Sequence, residues 1–319
     1  MSSLKILRFQ GMRIFSLVFV LTLCEGVWAL SDTTKRPYLG DHGFIPVTYS
    51  DMPFTNTYLS IITGFGQTTD LVHQIGSIGN YQPRGLAGEV TFVNMGFSYH
   101  QQVRDWLAAY ISFGISARIS TEMLSILSQG YNTLNSFDIG WHIKLLEGRK
   151  YALSTIFELQ NHQGNFINVL EYLKDIINNN PNPSINENIP VLAFATGLRF
   201  AYGLSDLIGF RVSTNLAYGQ SYKRGENGFS FNAGGGIDLD FYPRYSLPIG
   251  VVLYYTISSM PDFVYVENEQ AQMIRAKIAY TRSKEFSFGL EYSYMKVPLL
   301  NQQENTSLQS AAITIRFYF

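Results

Sequence analysis

The chain has 319 residues with 23 basic and 24 acidic side chains, so it is long enough for one large domain or two ordinary ones, and its charge gives no support for a nucleic-acid partner. Charged residues make up 15%, against roughly 25% in soluble domains, and aromatic residues make up another 15%. No internal stretch supplies the about 20 apolar residues that a membrane-spanning helix needs. The apolar side chains must therefore be buried inside the protein or contact lipid through another geometry.

Residues 1–29 have the pattern of a secretory signal peptide. Basic residues precede an apolar run from Ile14 to Cys24, and "VWA", ending at Ala29, offers a cleavage site. A lipoprotein site with lipid on Cys24 is the alternative, although Leu23 is large where such sites need a small residue. Cleavage after Ala29 would leave an exported chain without cysteine, and hence without disulfides to stabilise it.

Two further segments follow the signal peptide. We interpret residues 30–54 as a short N-terminal segment that lies in the periplasm or plugs the molecule, and residues 55–319 as the main domain. In the main domain, apolar residues alternate with polar or small ones, which is typical of half-buried β-strands. The alternation predicts twelve strands, at residues 55–66, 86–99, 106–117, 134–145, 151–160, 190–202, 207–218, 229–241, 249–257, 271–280, 286–295 and 308–319.

The predicted connections alternate in length. Short ones follow the even strands, at 100–105, 146–150, 203–206, 242–248 and 281–285, and longer ones follow the odd strands. A soluble sandwich has no reason to follow this rule, whereas a membrane barrel has tight periplasmic turns and long outer loops. A predicted strand of about ten residues also matches the length that crosses a bilayer at a tilt. The pattern predicts an all-β fold, a single 12-stranded antiparallel transmembrane β-barrel.

The two faces of the predicted strands differ in chemistry. One face of each strand carries large apolar residues at five or six consecutive alternate positions, and twelve such faces would overfill the core of one sandwich. We therefore expect this face to contact lipid, and the opposite face to line the lumen. The predicted lumen residues are Asp138, His142, Lys144, Glu158, Arg199, Arg211, Asp238, Asp240, Arg275, Lys277, Glu291 and Arg316.

Aromatic residues cluster at the short-turn ends of the lipid face. The expected girdle at this membrane interface comprises Tyr99, Trp106, Tyr151, Tyr202, Phe241, Tyr280, Phe286 and Phe319. Strand propensity alone would also enrich tyrosine and phenylalanine, but it would not place them at one end.

The last predicted strand ends in Phe319, preceded on the same face by Phe317, Ile315, Ile313 and Ala311. This ending resembles the assembly signal of Gram-negative outer-membrane β-barrel proteins. The resemblance covers nearly the whole mature chain by architecture and does not single out one family by motif. It implies a location in the outer membrane, with membrane lipids and the barrel-assembly machinery as partners.

Two functions are compatible with mixed charges in the lumen. The residues can line a porin-like channel for small molecules, or they can pair with each other and seal a structural or surface-binding barrel. Apolar residues at helical spacing in 165–179, and a shorter run in 120–129, raise a third possibility, uptake of hydrophobic compounds. Because the balance of charge is even, we do not expect strong ion selectivity.

No residues predict catalysis, a metal site or a cofactor. The outer-membrane phospholipases, which share the barrel class, need a His and a Ser two residues apart on a lipid-facing strand, and none of the five histidines begins such a motif. His142 would face the lumen without an identifiable nucleophile, His100 is predicted in a periplasmic turn, and His42 precedes the barrel. The glycines of 232–238 lie on a strand and are weak support for phosphate binding.

Overall fold

The computed structural model describes residues 36–48, 52–73, 86–119, 130–167, 172, 175–181, 183–184, 186–220, 227–259, 270–297 and 306–319. The proposed signal peptide, residues 1–29, and the predicted apolar segment 120–129 lie outside the described residues. No helix in these ranges is both long and apolar enough to cross a membrane.

Twelve antiparallel strands close into a single barrel, which confirms the predicted fold class and strand number. A separate two-stranded hairpin, β1 (Tyr38–Leu39) and β2 (His42–Gly43), precedes them. The barrel strands are β3 (Tyr58–His73), β4 (Leu86–Arg104), β5 (Leu107–Ile119), β6 (Gly130–Glu147), β7 (Tyr151–Ile167), β8 (Asn186–Gly203), β9 (Ile208–Gln220), β10 (Asn227–Asp240), β11 (Ile249–Ser259), β12 (Gln270–Tyr280), β13 (Phe286–Val297) and β14 (Thr306–Tyr318). A short helix, α1 (Tyr242–Tyr245), lies between β10 and β11.

The last strand of the barrel pairs with the first. The register between β14 and β3 runs from Ser307 opposite Thr69 to Tyr318 opposite Tyr58, and the Phe319 amide donates to the Thr57 carbonyl at 3.2 Å. This closure pairs the first strand, β3, with the last strand, β14, so each has a neighbour on both sides. Unpaired backbone groups in hydrocarbon would cost several kcal/mol each, which is why a membrane-spanning sheet must close.

The strands are longer than predicted. The prediction followed the alternation of apolar residues, and this alternation weakens toward the strand ends, beyond the apolar section. The strands contain between 11 residues, in β11 and β12, and 19 residues, in β4. The strict alternation of connection lengths was wrong: residues 221–226 separate β9 from β10, whereas residues 241–248 on the short-turn side separate β10 from β11. The predicted loop helix 165–179 was also wrong at its start, since residues 165–167 belong to β7; Tyr172 and residues 175–177 are helical.

Burial is inverted relative to a soluble protein. Large apolar side chains of the outward face are exposed, for example Leu290 and Ile278, each at 58%, and Phe194 at 51%. Charged side chains of the inward face are buried, with Asp238 at 0% and Arg199 at 3%. An apolar surface this extensive is stable only against hydrocarbon. The barrel therefore spans a membrane, and these charged side chains are buried on its inward face.

The predicted aromatic girdle lies at the short-turn end of the outward face. Among its members, Trp106, Tyr151, Tyr280 and Phe319 are exposed by 37–54%. Tyr99, Tyr202, Phe241 and Phe286 are partly exposed. Amphipathic rings at this level suit the boundary between headgroups and acyl chains.

We expect arginine at position 290 to destabilise the barrel in a bilayer. Leu290 lies opposite Ile278 and Ile313 on the outward face, so Leu290→Arg would place a charge in hydrocarbon at a cost of about 2–4 kcal/mol near the midplane. The measurement is the free energy of unfolding from liposomes in urea. Asn232→Arg, on the exposed part of the inward face, is the control and should change stability by less than about 1 kcal/mol. Equal effects of the two substitutions would contradict the assignment of the faces.

Candidate functional site

The N-terminal segment before β3 lies inside the barrel. Its described residues, 36–48 and 52–57, are here called the plug. Every residue from His42 to Thr48 is buried, and Phe44 and Ile45 are at most 1% exposed. The hairpin of the plug pairs only with itself and adds no strand to the barrel wall. The plug is therefore held mainly by side-chain contacts with the lumen, unlike the barrel strands.

Apolar side chains of the plug form two small cores with the wall. In the first, Leu39, Phe44, Met52 and Phe54 pack on Ala152 of β7 and Ala201 of β8. In the second, Ile45 and Val47 pack on Val252 and Tyr254 of β11 and on Ala279 of β12. The wall of the lumen is thus apolar at the two places where the plug rests on it.

Between these cores, wall charges bind the main chain of the plug. Asp238 of β10 accepts a hydrogen bond from the Ile45 amide at 3.0 Å, and its carboxylate also binds Arg211 of β9 through two nitrogens. Arg211 in turn donates to the Ile45 carbonyl at 2.5 Å. One ion pair on the wall therefore satisfies both main-chain groups of one plug residue.

The same arrangement recurs on the next strands. Glu291 of β13 accepts from both the amide and the hydroxyl of Thr48 at 3.0 Å, and Arg275 of β12 donates to the Thr48 carbonyl. Lys277 donates to the Pro46 carbonyl at 2.5 Å and lies 4.0 Å from Glu291. Charge-assisted hydrogen bonds of this kind are stronger than neutral ones, and they provide each of these buried charged groups with a partner.

A further ion pair fixes the start of the plug. Arg36 lies 3.1 Å from Asp240 and also donates to the carbonyls of Gly43, Phe44 and Thr281. Both side chains are 1% exposed. Removing either partner would leave an unpaired buried charge, so this contact ties the hairpin to the short-turn end of β10.

His42 is enclosed between the plug and β9. Its ring packs edge-on against Phe44 at 4.7 Å, and its Nδ1 lies 3.2 Å from the Asp206 carbonyl. A Cβ atom on Gly209 would come within 2.4 Å of Nε2, so glycine is required for this approach. Burial lowers the pKa of His42 below its usual 6.5, although Asp238 opposes this effect, so the seat favours the neutral imidazole.

A polar cavity of about 330 Å³ lies next to the plug within the lumen. It is bounded by Pro46, Val47 and Thr48 of the plug and by wall residues of most strands. Half of the residues that β3–β6 contribute to its wall are small, namely Ser60, Ser98, Ser112, Ser136, Gly96 and Gly114. We call this cavity the chamber; its volume is that of sites that hold small molecules.

Both signs of charge line the chamber. Asp138, paired with His162 at 3.0 Å, and Glu158 lie on β6 and β7. Lys277 lies on β12, six places from β6 in the ring of twelve strands and hence across the lumen from it. The chamber can thus interact with neutral polar or dipolar solutes, and it has no large excess of one sign.

A stack of aromatic rings forms one side of the chamber. Tyr58, His100 and Tyr110 stack in succession, with centroids 4.1 and 4.8 Å apart. The guanidinium of Arg316 lies 4.0 Å from the Tyr58 ring, and the Tyr110 hydroxyl donates to Glu158 at 2.6 Å. The stacked rings lie on β3, β4 and β5, link Arg316 of β14 to Glu158 of β7, and give this part of the wall a fixed shape.

The twelve predicted lumen residues divide into three sets. Asp238, Asp240, Arg211, Arg275, Lys277 and Glu291 contact the plug. Asp138, Glu158, Arg199, Arg316 and also Lys277 line the chamber. His142 and Lys144 do neither in the described contacts: Lys144 pairs with Glu147 on β6 near the turn, and His142 is buried against Ser154.

The contact of His142 corrects the expectation that it lacks a nucleophile nearby. Its Nε2 lies 2.6 Å from the Ser154 hydroxyl across the β6–β7 pair. Ser154 is 0% exposed and His142 is 1% exposed, so no substrate reaches the hydroxyl in this structure. The pair is therefore a hydrogen bond of the inner wall.

Sequence reasoning missed several residues of the site. His100 was wrongly predicted in a turn and is a buried lumen residue of β4. The apolar contact between the plug and β11 did have a signal in the sequence. The β11 stretch "GVVLYYT" is apolar on both faces, as expected for a strand buried on both sides. No comparable signal marked the stack, because its three residues lie on three strands whose register is set by the closed barrel.

Comparisons with known proteins show likeness of shape only. No family model and no curated protein matches the chain. Among solved structures, the NanC porin is 9% identical over 82% of this chain and 100% of that one, with a TM-score of 0.49. An outer-membrane channel from Pseudomonas putida F1 is 9% identical over 86% of this chain and 100% of that one, with a TM-score of 0.49. The translocator domain of the autotransporter NalP from Neisseria meningitidis is 9% identical over 84% of this chain and 90% of that one, with a TM-score of 0.47. Because each TM-score is below 0.5, none of these likenesses assigns a function to this chain.

We expect the plug to loosen in mild acid. The pKa of the seated His42 is lowered, whereas a released His42 would protonate near 6.5, so release of the plug takes up a proton below that pH. The free energy by which His42 favours the seated plug over the released plug is therefore fully present above about pH 6.5, and it decreases as the pH falls below that value. The measurement is hydrogen exchange of the Ile45 amide, corrected for the intrinsic rate at each pH.

His42→Phe is the control for this effect, because it keeps a ring of similar size and removes the titration. Its plug should change its opening free energy less between pH 7.5 and pH 5 than the wild-type plug does. A wild-type plug that is equally protected at both pH values would contradict the assignment.

Proposed function

We propose that the protein is a porin-like channel of the outer membrane that passes small polar molecules. The observation that supports this most directly is the polar chamber inside a barrel whose outer surface is hydrocarbon. In the proposed resting state the plug closes the short-turn end, and the chamber faces the long-loop end. Passage requires the plug to shift, since its residues 42–48 are buried between the walls.

The proposed location and partners follow from the same surface. Outer-membrane lipids would contact the exposed apolar rows. Ile315 and Phe317 of β14, with Phe319 directly after it, would be recognised by the barrel-assembly machinery, as their resemblance to an assembly signal implies. We assign no catalytic activity to the protein: the buried His142–Ser154 pair faces the lumen, whereas a phospholipase of this class acts from a lipid-facing strand.

A sealed structural barrel is the second candidate. It is favoured by the extent of the plug contacts, in which six wall charges engage the segment 36–48. The two functions differ in whether the plug leaves its seat. Side-chain contacts can be exchanged for water one by one, whereas a strand of the wall cannot be removed without opening the barrel.

A disulfide between the plug and the wall separates the two candidates. A Cβ atom on Gly203 would lie 3.4 Å from the Leu39 Cβ atom, close to the about 3.5–4.5 Å of disulfides, and 2.7 Å from the Leu39 carbonyl oxygen, so the hairpin must shift slightly to admit the cysteine. The double variant Leu39→Cys/Gly203→Cys can be locked by oxidation and released by reduction. Cys24, the one cysteine of the natural sequence, lies in the proposed signal peptide.

We expect single-channel conductance in planar bilayers to disappear on oxidation and return on reduction. Each single-cysteine variant serves as the control and should conduct equally under both conditions. Equal conductance of the oxidised and reduced double variant would show that passage does not require the plug to move. Silence of the reduced variant and of the wild type over many insertions would favour the sealed barrel.

A further inference from the structure

The wall charges recognise the plug through its main chain. Ile45 uses its amide and carbonyl, Pro46 its carbonyl, and Thr48 its amide and carbonyl. Only the Thr48 hydroxyl adds a polar side-chain contact among these residues. Any peptide offers the same main-chain groups, provided that the residues at the two donor positions, those of Ile45 and Thr48, are not proline.

The binding groups are arranged as a strip along the wall. Carboxylates on β10 and β13 accept the two amides, and cations on β9 and β12 donate to the three carbonyls. Asp238, Arg211, Lys277 and Glu291 are 0–6% exposed, and Arg275 is 7% exposed. Such buried ions would be costly to leave without partners, so the strip requires an occupant or water whenever the plug leaves.

We propose that this strip is a binding site for short extended peptides, and that the plug is its tethered occupant. This inference rests on the proposed function in one respect: the plug must be able to leave its seat. A peptide that enters the chamber would replace the main-chain contacts of residues 45–48 and keep the plug displaced. The substrate class of the channel would then be small peptides.

Apolar space beside the strip suits such a ligand. Ile45 and Val47 of the plug occupy places formed by Val252, Tyr254 and Ala279. A peptide with small or apolar side chains can use these places, whereas a sugar or an inorganic ion presents neither the alternating amides and carbonyls nor the apolar groups. The strip is thus better matched to peptides than to other small polar solutes.

The test uses the full chain with a weakened plug. Phe44→Ala removes a fully buried ring that holds the plug, and it changes no strip residue. Leu39→Ala is a second receptor designed in the same way, in case one variant does not fold. The tethered plug competes at a high effective concentration, which is why the wild type is a less sensitive receptor.

Three synthetic peptides are compared by fluorescence anisotropy. The first, GFIPVT, copies residues 43–48. The second has the same side chains but carries N-methyl groups at the positions of Ile45 and Thr48, which removes the two donors to Asp238 and Glu291. The third, GAAPAT, keeps the main chain, including the proline, and replaces the side chains of Phe44, Ile45 and Val47 by methyl groups.

We expect the first and third peptides to bind within about tenfold of each other, and the N-methylated peptide to bind at least tenfold more weakly than the first. Equal binding of the first two peptides would overturn main-chain recognition. Binding of GFIPVT alone would show that the strip is specific for the plug, and absence of binding to either receptor would overturn the site. Both of these results would remove peptides as the substrate class.

The conductance of the same receptors separates this inference from the proposed function. If Phe44→Ala conducts but binds no peptide, the channel stands and the peptide site fails. If it binds the peptides but does not conduct, the peptide site stands and the channel fails.

Discussion

The structure depends on the requirement that charged groups be kept out of hydrocarbon. The outward face of the barrel contacts acyl chains, so charged side chains in its membrane section must turn to the lumen. There they meet a second requirement, because a narrow lumen removes them from bulk water. Asp238 and Lys277, at 0% and 2% exposure, illustrate how far this burial goes. The contents of the lumen are set by the need of these ions for partners.

The plug meets this need with main-chain atoms. An all-ionic lumen would require every charge to find an opposite charge at good geometry, whereas amides and carbonyls offer partners along an extended chain. Arg211 and Asp238 pair with each other and still bind Ile45. Plug and wall therefore stabilise each other, and the free energy of seating is distributed over many contacts. A segment held in this way can be released without disturbing a strand, which distinguishes a plug from a wall.

The barrel could be predicted from the sequence because its rule is local. Alternation with period 2 identifies the inward and outward faces strand by strand, so it puts Leu290, which is 58% exposed, and Glu291, which is 6% exposed, on opposite faces. Contacts across the lumen follow no local rule. Arg36 and Asp240 are 204 residues apart, and Thr48 and Glu291 are 243 apart. Their pairing depends on the register and closure of all twelve strands, as does the stack of Tyr58, His100 and Tyr110.

The central claim, that hydrocarbon rows face lipid and charged rows face the lumen, is tested most directly by spin labels in liposomes. Labels would be attached at Leu290→Cys and at Asn232→Cys, and collision with oxygen, which dissolves in lipid, compared with collision with a water-soluble nickel complex. The structure predicts that oxygen dominates at position 290 and the nickel complex at position 232. The reverse preference, or the same preference at both positions, would contradict the membrane placement.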